Sequence, residues 1–132
     1  MTDRARIRDY MIRDMVTLTP ETELLQAMNL LLEGGISGAP VIDAGGNLVG
    51  MLTQKDCLRA ALNATYFQEW GRPVADYMSR EVETLDADVD IVTATEIFLA
   101  SPYRRFPVVD NGRLVGQISR SDLLRALISN WQ

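Results

Sequence analysis

Two short stretches carry the side chains with the most chemical capacity. Thr53-Gln54-Lys55-Asp56 and Ser119-Arg120-Ser121-Asp122 each place a hydroxyl three residues before a carboxylate. That spacing is a helix capping box, so one reading is structural: the two side chains satisfy the unbonded N–H groups that open a helix. The same groups suit a ligand. A strand-to-helix junction offers backbone N–H groups to an anion in the favourable field of the helix dipole. A carboxylate can also accept hydrogen bonds from two neighbouring ribose hydroxyls. Cations stand nearby in sequence: Lys55 is the chain's only lysine, and the 12 arginines include Arg120 and the pair Arg104-Arg105.

Other chemistries are poorly provided for. The chain has no histidine, which removes the commonest general base and the commonest transition-metal ligand. No nucleophile stands beside a base and no motif pairs two carboxylates, so neither an enzyme nor a metal protein is expected. Asp86, Asp88 and Asp90 alternate, but their loop lacks the central Gly and terminal Glu of a calcium hand, and they read as a solvated helix start. A net charge of −5 argues against affinity built on neutralising nucleic-acid phosphates. Arg4, Arg6 and Arg8 accordingly read as a solvated tail. The single cysteine, Cys57, aligns with Leu123 and reads as a small buried apolar residue. No apolar run approaches the roughly 20 residues of a membrane span, and the start Met1-Thr2-Asp3-Arg4 lacks the apolar core of a secretion signal, which makes the cytoplasm the expected location.

The elements that must position these side chains occur twice. Residues 9–43 align with 76–110, and 46–62 with 112–128, with many identities and many exchanges of one apolar residue for another. With 132 residues, 47% of them hydrophobic, the expectation is one compact domain of two half-domains packed about a pseudo-twofold axis. The first repeat spans 9–63, a connecting segment 64–75, and the second repeat 76–130. Each repeat reads as strand, helix, strand, strand, helix, an α/β (α+β) plan. In the first, Met15-Val16-Thr17-Leu18 is extended, Thr19 with Pro20 caps a helix, and Leu24, Ala27, Met28, Leu31 and Leu32 form its apolar face. Gly34-Gly35 ends that helix. Pro40 to Asp43 and Leu48 to Leu52 form a hairpin across Gly45-Gly46-Asn47, and a second helix runs from Gln54 to Asn63. In the second repeat Asp86 is the cap candidate, Ile91, Ala94, Ile97, Phe98 and Leu99 form the apolar face, and Asn111-Gly112 is the tighter turn. Tyr66, Phe67 and Trp70 make the connecting segment too aromatic for a free linker, and it is expected to pack on the core.

Two copies of this plan, each with a Pro-Val-(Ile/Val)-Asp strand, a glycine turn and a Gly-x-(Leu/Ile)-(Thr/Ser)-x-x-Asp helix start, resemble the CBS (cystathionine beta-synthase) domain pair, or Bateman module. The resemblance covers residues 9 to 130. One such motif is weak; the ordered set occurring twice is specific. The resemblance implies a module that binds adenosine derivatives in clefts between its repeats, regulates an attached or separate protein, and forms homodimers through exposed apolar helix faces.

It further implies that Asp56 and Asp122 hold ribose hydroxyls, and that Thr53 and Ser119 touch ribose or phosphate. Each family cleft is composite. One would join Thr53, Lys55 and Asp56 to Thr84, Leu85 and Tyr103-Arg104-Arg105-Phe106-Pro107. The other would join Ser119, Arg120, Ser121 and Asp122 to Thr17, Leu18 and Ile36-Ser37-Gly38-Ala39-Pro40. Arg104 and Arg105 fall where the gamma subunit of AMP-activated protein kinase, which this segment resembles, carries phosphate-binding residues, while Ser37 and Gly38 stand in the other cleft. The first cleft is therefore expected to prefer a phosphorylated nucleoside, with at most one of the two adjacent arginines facing it. Adenine would lie on apolar side chains and be read by backbone amides near Leu85 or Leu18. The implied ligand is AMP, ADP or ATP, with S-adenosylmethionine or NAD(H) as alternatives. No cofactor is required. An interaction module with empty or vestigial clefts is the competing function.

Overall fold

The structure, a computed structural model, describes residues 5–68 and 71–131. The chain divides into two compact units, one of Val16–Val82 and one that combines Met1–Met15 with Glu83–Gln132. We call them the N-unit and the C-unit. Their limits differ from those of the sequence repeats, because the first residues of each repeat, 9–15 and 76–82, are built into the unit of the other.

The N-unit contains α1 (Leu24–Gly34), β1 (Gly38–Ile42), β2 (Leu48–Thr53) and α2 (Gln54–Phe67), followed by a 3-10 turn at Val74–Asp76. The C-unit contains a 3-10 turn at Ile7–Asp9, then β3 (Leu85–Asp86), α3 (Ile91–Leu99), β4 (Arg105–Asp110), β5 (Arg113–Ser119) and α4 (Arg120–Trp131). In the C-unit β3 lies parallel to β4, which pairs antiparallel with β5. β1 and β2 form the matching antiparallel hairpin of the N-unit.

The leading strand of the N-unit differs from expectation. Instead of a strand at Met15–Leu18, it has one parallel bridge, Leu18 to Val41. Pro20 stops the pairing from continuing past Leu18. In the C-unit the Ala87 amide donates to Val109 O at 3.0 Å and prolongs the pairing; Pro20, at the corresponding place, has no N–H to give.

Both first helices also start later than the cap candidates suggest. Thr19 and Asp86 cap no helix: Thr22 Oγ1 accepts from the Thr19 amide at 3.1 Å, and Asp86 Oδ1 accepts from the Asp88 amide at 2.9 Å. The residues that precede the helices are Glu23 and Asp90, and Asp90 Oδ1 accepts from the Thr93 amide at 2.9 Å. The hairpin turns agree with the sequence reading. Asn111 and Gly112 both have positive φ (52° and 79°), as a two-residue turn of this hand requires, and Asp43 Oδ1 accepts from the Gly45 and Asn47 amides, both at 2.9 Å.

Each unit has its own core, and the two cores correspond position by position. Leu18, Leu24, Ala27, Leu31, Val41, Leu52, Cys57 and Ala60 occupy in the N-unit the places of Leu85, Ile91, Ala94, Phe98, Val108, Ile118, Leu123 and Ala126 in the C-unit. Cys57 is buried, as its alignment with Leu123 suggests, and burial pushes its thiol pKa up, with the Asp56 charge adding to the effect. Val74 and Met78 complete the N-unit core, and Ile7 and Met11 complete the C-unit core. The segments carrying them act as straps. Ile7 N donates to Val89 O and Arg8 N to Ala87 O in one unit, and Val74 N to Thr22 O and Ala75 N to Pro20 O in the other.

The strap explains the basic N-terminal residues. Arg6 Nη1 donates to Asp88 O at 2.9 Å, and Arg8 Nε to Asp88 Oδ1 at 2.7 Å, so these residues are anchored and are not a solvated tail; Arg4 lies outside the described residues. The connecting segment also departs from expectation. Helix α2 runs on through it to Phe67, and Tyr66 and Phe67 are 74% and 66% exposed instead of packed on the core; Trp70 lies outside the described residues. Leu32 and Leu99, read as parts of the buried helix faces, are exposed as well.

Candidate functional site

The two hydroxyl–carboxylate pairs sit where a strand runs directly into a helix. β2 ends at Thr53 and α2 begins at Gln54; β5 ends at Ser119 and α4 begins at Arg120. Both capping boxes are complete. Thr53 Oγ1 accepts from the Asp56 amide at 3.2 Å, and Asp56 Oδ2 accepts from the Thr53 amide at 2.9 Å and its hydroxyl at 3.0 Å. The corresponding bonds join Ser119 and Asp122 at 3.3, 2.8 and 2.9 Å.

These bonds limit what each group has left for a ligand. The Thr53 and Ser119 hydroxyl protons go to the carboxylates, so the hydroxyls can accept from a ribose O–H but have no proton for a phosphate. The amides of Gln54 and Arg120 are taken by Ser37 O at 2.8 Å and Arg104 O at 3.0 Å. With the Asp56 and Asp122 amides capped, the first-turn amides left for an anion are those of Lys55 and Ser121.

Sequence reasoning missed two arginines. Arg59 Nη1 donates to Asp56 Oδ1 at 3.1 Å, and Arg125 Nη2 donates to Asp122 Oδ1 at 2.5 Å. The signal is present in the sequence: Asp-x-x-Arg, one helical turn apart, occurs in both repeats. The carboxylate side chains are 13% and 4% exposed, whereas their arginines are 61% and 65% exposed.

Within the N-unit, Thr53 pairs with Gly38 across the hairpin, and a Cβ on Gly38 would stand 3.3 Å from Thr53 Cγ2. Ser37, Lys55 and Thr17 are exposed, and Ala39 and Leu18 are core residues. The Leu18 amide is already committed to Pro40 O at 2.9 Å, so it is not available to read an adenine edge.

Within the C-unit, Arg105 pairs with Ser119. Arg104, Arg105, Arg120, Ser121 and Thr84 are exposed, while Leu85 and Phe106 are buried. Phe106 packs edge-on against Phe98, with ring centroids 4.9 Å apart. Besides Arg125, which is paired with Asp122, three arginines (Arg104, Arg105 and Arg120) thus gather at the Ser119–Asp122 junction, none of these three in an ion pair among the described residues. The N-unit junction has Lys55 and Arg59.

Comparison with known proteins follows this doubled architecture. The family model for the CBS domain matches the chain twice, at residues 7–63 and 74–129. The chain belongs to the CBS domain family. Among relatives, the CBS domain-containing protein YhcV of Bacillus subtilis is 30% identical over 94% of this chain and 86% of its own length. Inosine-5'-monophosphate dehydrogenase of Methanocaldococcus jannaschii is 32% identical over 89% of this chain, but the match spans only 22% of that enzyme. The chain spans 22 to 65% of the length of the first curated relatives it matches. Among solved structures, CBSX2 in complex with AMP has a TM-score of 0.81 and 28% identity, covering 97% of this chain and 99% of that one. The two CBS repeats fold as the α+β pair expected from the sequence. Among the described residues, no helix is long and apolar enough to cross a membrane, and no acidic or cysteine cluster is arranged to hold a metal ion.

Proposed function

We propose that this CBS pair is a non-catalytic regulatory module whose ligand is an adenosine-containing molecule, AMP, ADP or ATP. The observation that carries this reading is the doubled strand-to-helix junction, in which Asp56 and Asp122 each keep acceptor capacity on Oδ1 beside a free first-turn amide. The AMP complex of CBSX2, similar over nearly the whole of both chains, supports it. In this reading Asp56 and Asp122 accept ribose hydroxyls, Thr53 and Ser119 accept a further ribose O–H, and Arg104, Arg105, Arg120 and Lys55 serve the phosphates. A charge-assisted hydrogen bond contributes about 1.5–3 kcal/mol, so one arginine well placed on phosphate changes affinity by at least about tenfold. Arg104→Ala and Arg105→Ala, measured singly, should weaken AMP binding much more than adenosine binding in at least one variant; equal effects on both ligands would rule out the phosphate role.

A homodimer is part of the proposal. Leu25, Leu32, Leu58 and Leu62 in the N-unit, and Leu99, Leu124, Ile128 and Trp131 in the C-unit, are apolar helix residues left exposed. Outward apolar side chains concentrated on helices in this way mark interaction surfaces. Light scattering should give twice the chain mass, and a monomer at every concentration would refute this part. Regulation would require the ligand to bind two arrangements of the protein unequally.

A further inference from the structure

We propose that Arg59 and Arg125 act as latches on the ribose-binding carboxylates, and that Arg125 holds its site closed more firmly than Arg59 does. This rests on the proposed nucleoside reading and concerns how its two sites differ. A carboxylate has about four acceptor positions. On Asp122, Oδ2 already takes the Ser119 amide and hydroxyl, at 2.8 and 2.9 Å, and Oδ1 takes Arg125 Nη2 at 2.5 Å. One position remains, whereas the two hydroxyls of a ribose diol need two. Asp56 is arranged alike, but Arg59 stands at 3.1 Å.

Exposure makes the same distinction. The Asp122 side chain is 4% exposed under an arginine that is 65% exposed, and Asp56 is 13% exposed. The guanidinium is the solvent-facing partner in each pair, so a diol reaching Oδ1 displaces it or shares the oxygen with it. The junction of Thr53 and Asp56 therefore takes a ribose before that of Ser119 and Asp122. Arg59 and Arg125 are positioning residues that set which site fills first.

Uncharged adenosine separates this role from any attraction of an arginine for phosphate. In the full chain carrying Asp56→Ala, which leaves one intact ribose carboxylate, adding Arg125→Ala should tighten adenosine binding about two- to fivefold, the range set by a solvent-facing ion pair. Binding of 2′,3′-dideoxyadenosine should not change, because it has no diol to compete with the arginine. In the reciprocal background, Asp122→Ala, adding Arg59→Ala should give a smaller gain. Adenosine affinity that is unchanged or weaker in the Arg125→Ala chain, or an equal gain for the dideoxy compound, would overturn the latch while leaving the nucleoside reading intact. Failure of adenosine and AMP to bind the unsubstituted chain and all variants would overturn both.

Discussion

Gly116 lies so close to Ile12 that a Cβ placed on it would stand 2.8 Å from the Ile12 carbonyl oxygen and 2.8 Å from Met11 Sδ. Gly50 repeats the relationship, with Met78 Sδ at 2.6 Å and Ser79 O at 2.9 Å. The glycine of the repeated Gly-x-(Leu/Ile)-(Thr/Ser) sentence is thus a docking point for a strap. Ile12 and Gln117 exchange backbone bonds of 2.8 and 2.9 Å there, and Met51 and Ser79 exchange two of 2.9 Å. Gly116→Ala and Gly50→Ala should each destabilise the chain by about 1–3 kcal/mol, the range for inserting a methyl group into a filled site. Urea unfolding measures this; an unchanged midpoint for both would show that the straps yield freely.

Removing a capping hydroxyl should cost less. Thr53→Ala and Ser119→Ala each leave a first-turn amide without its partner, at about 1 kcal/mol. Asp122→Ala should cost more than Asp56→Ala, because Asp122 is the more deeply buried carboxylate and its removal strands groups that have less water to replace it. Thermal unfolding of the four variants gives the order directly.

Much of this was legible from the sequence, for reasons that differ from element to element. Local chemistry fixed the Asn111-Gly112 turn and the two hydroxyl–carboxylate pairs, because turn and cap signals lie within a few residues of one another. Cys57 was placed in the core by alignment with Leu123 alone. The helices start later than Thr19 and Asp86 suggest, because these good capping side chains are used inside the turn that leads to each helix. The shortened strand at Leu18 depends on whether residue 20 can donate to a neighbouring strand, which is a property of pairing that periodicity does not show. The straps were not legible at all: nothing in the spacing of Ile7 and Met11 says that they complete the core built by Leu85 to Ala126. Arg59 and Arg125 stand in the sequence as a repeated Asp-x-x-Arg, but that spacing alone does not distinguish them from ordinary surface charge.

The strap of the C-unit should respond to acid. The hydrogen bond from Arg8 holds the Asp88 carboxyl below its ordinary value of 3.8, and the charges of Arg8 and Arg6 add to this. A depressed carboxyl pKa stabilises the folded state above the unfolded value and loses that contribution as pH falls through the folded one. The Arg8–Asp88 contact should be intact from pH 5 to 7 and weaken below about pH 4. Amide chemical shifts of Ile7 and Arg8 should follow this titration, and Asp88→Asn should reduce its amplitude, Arg8 being paired with Asp110 as well; shifts that stay constant down to pH 2 would contradict the assignment.

Unit boundaries give a further test. Residues 16–82 contain the whole N-unit with its strap, whereas residues 9–63 lack Val74 and Met78 from the core. The 16–82 segment should unfold cooperatively on its own, at marginal stability for a chain of that length, and the 9–63 segment should not. Circular dichroism against temperature distinguishes them. Cooperative unfolding of 9–63 alone would show the strap to be dispensable.

The central claim is that the doubled junction is a nucleotide site and not only a pair of helix caps. Isothermal titration of the full chain with AMP tests it most directly. Saturable binding that is lost in the Asp56→Ala, Asp122→Ala double variant while the fold is kept is the predicted result. The absence of saturable heat with AMP, and likewise with ADP, ATP and S-adenosylmethionine, would contradict it.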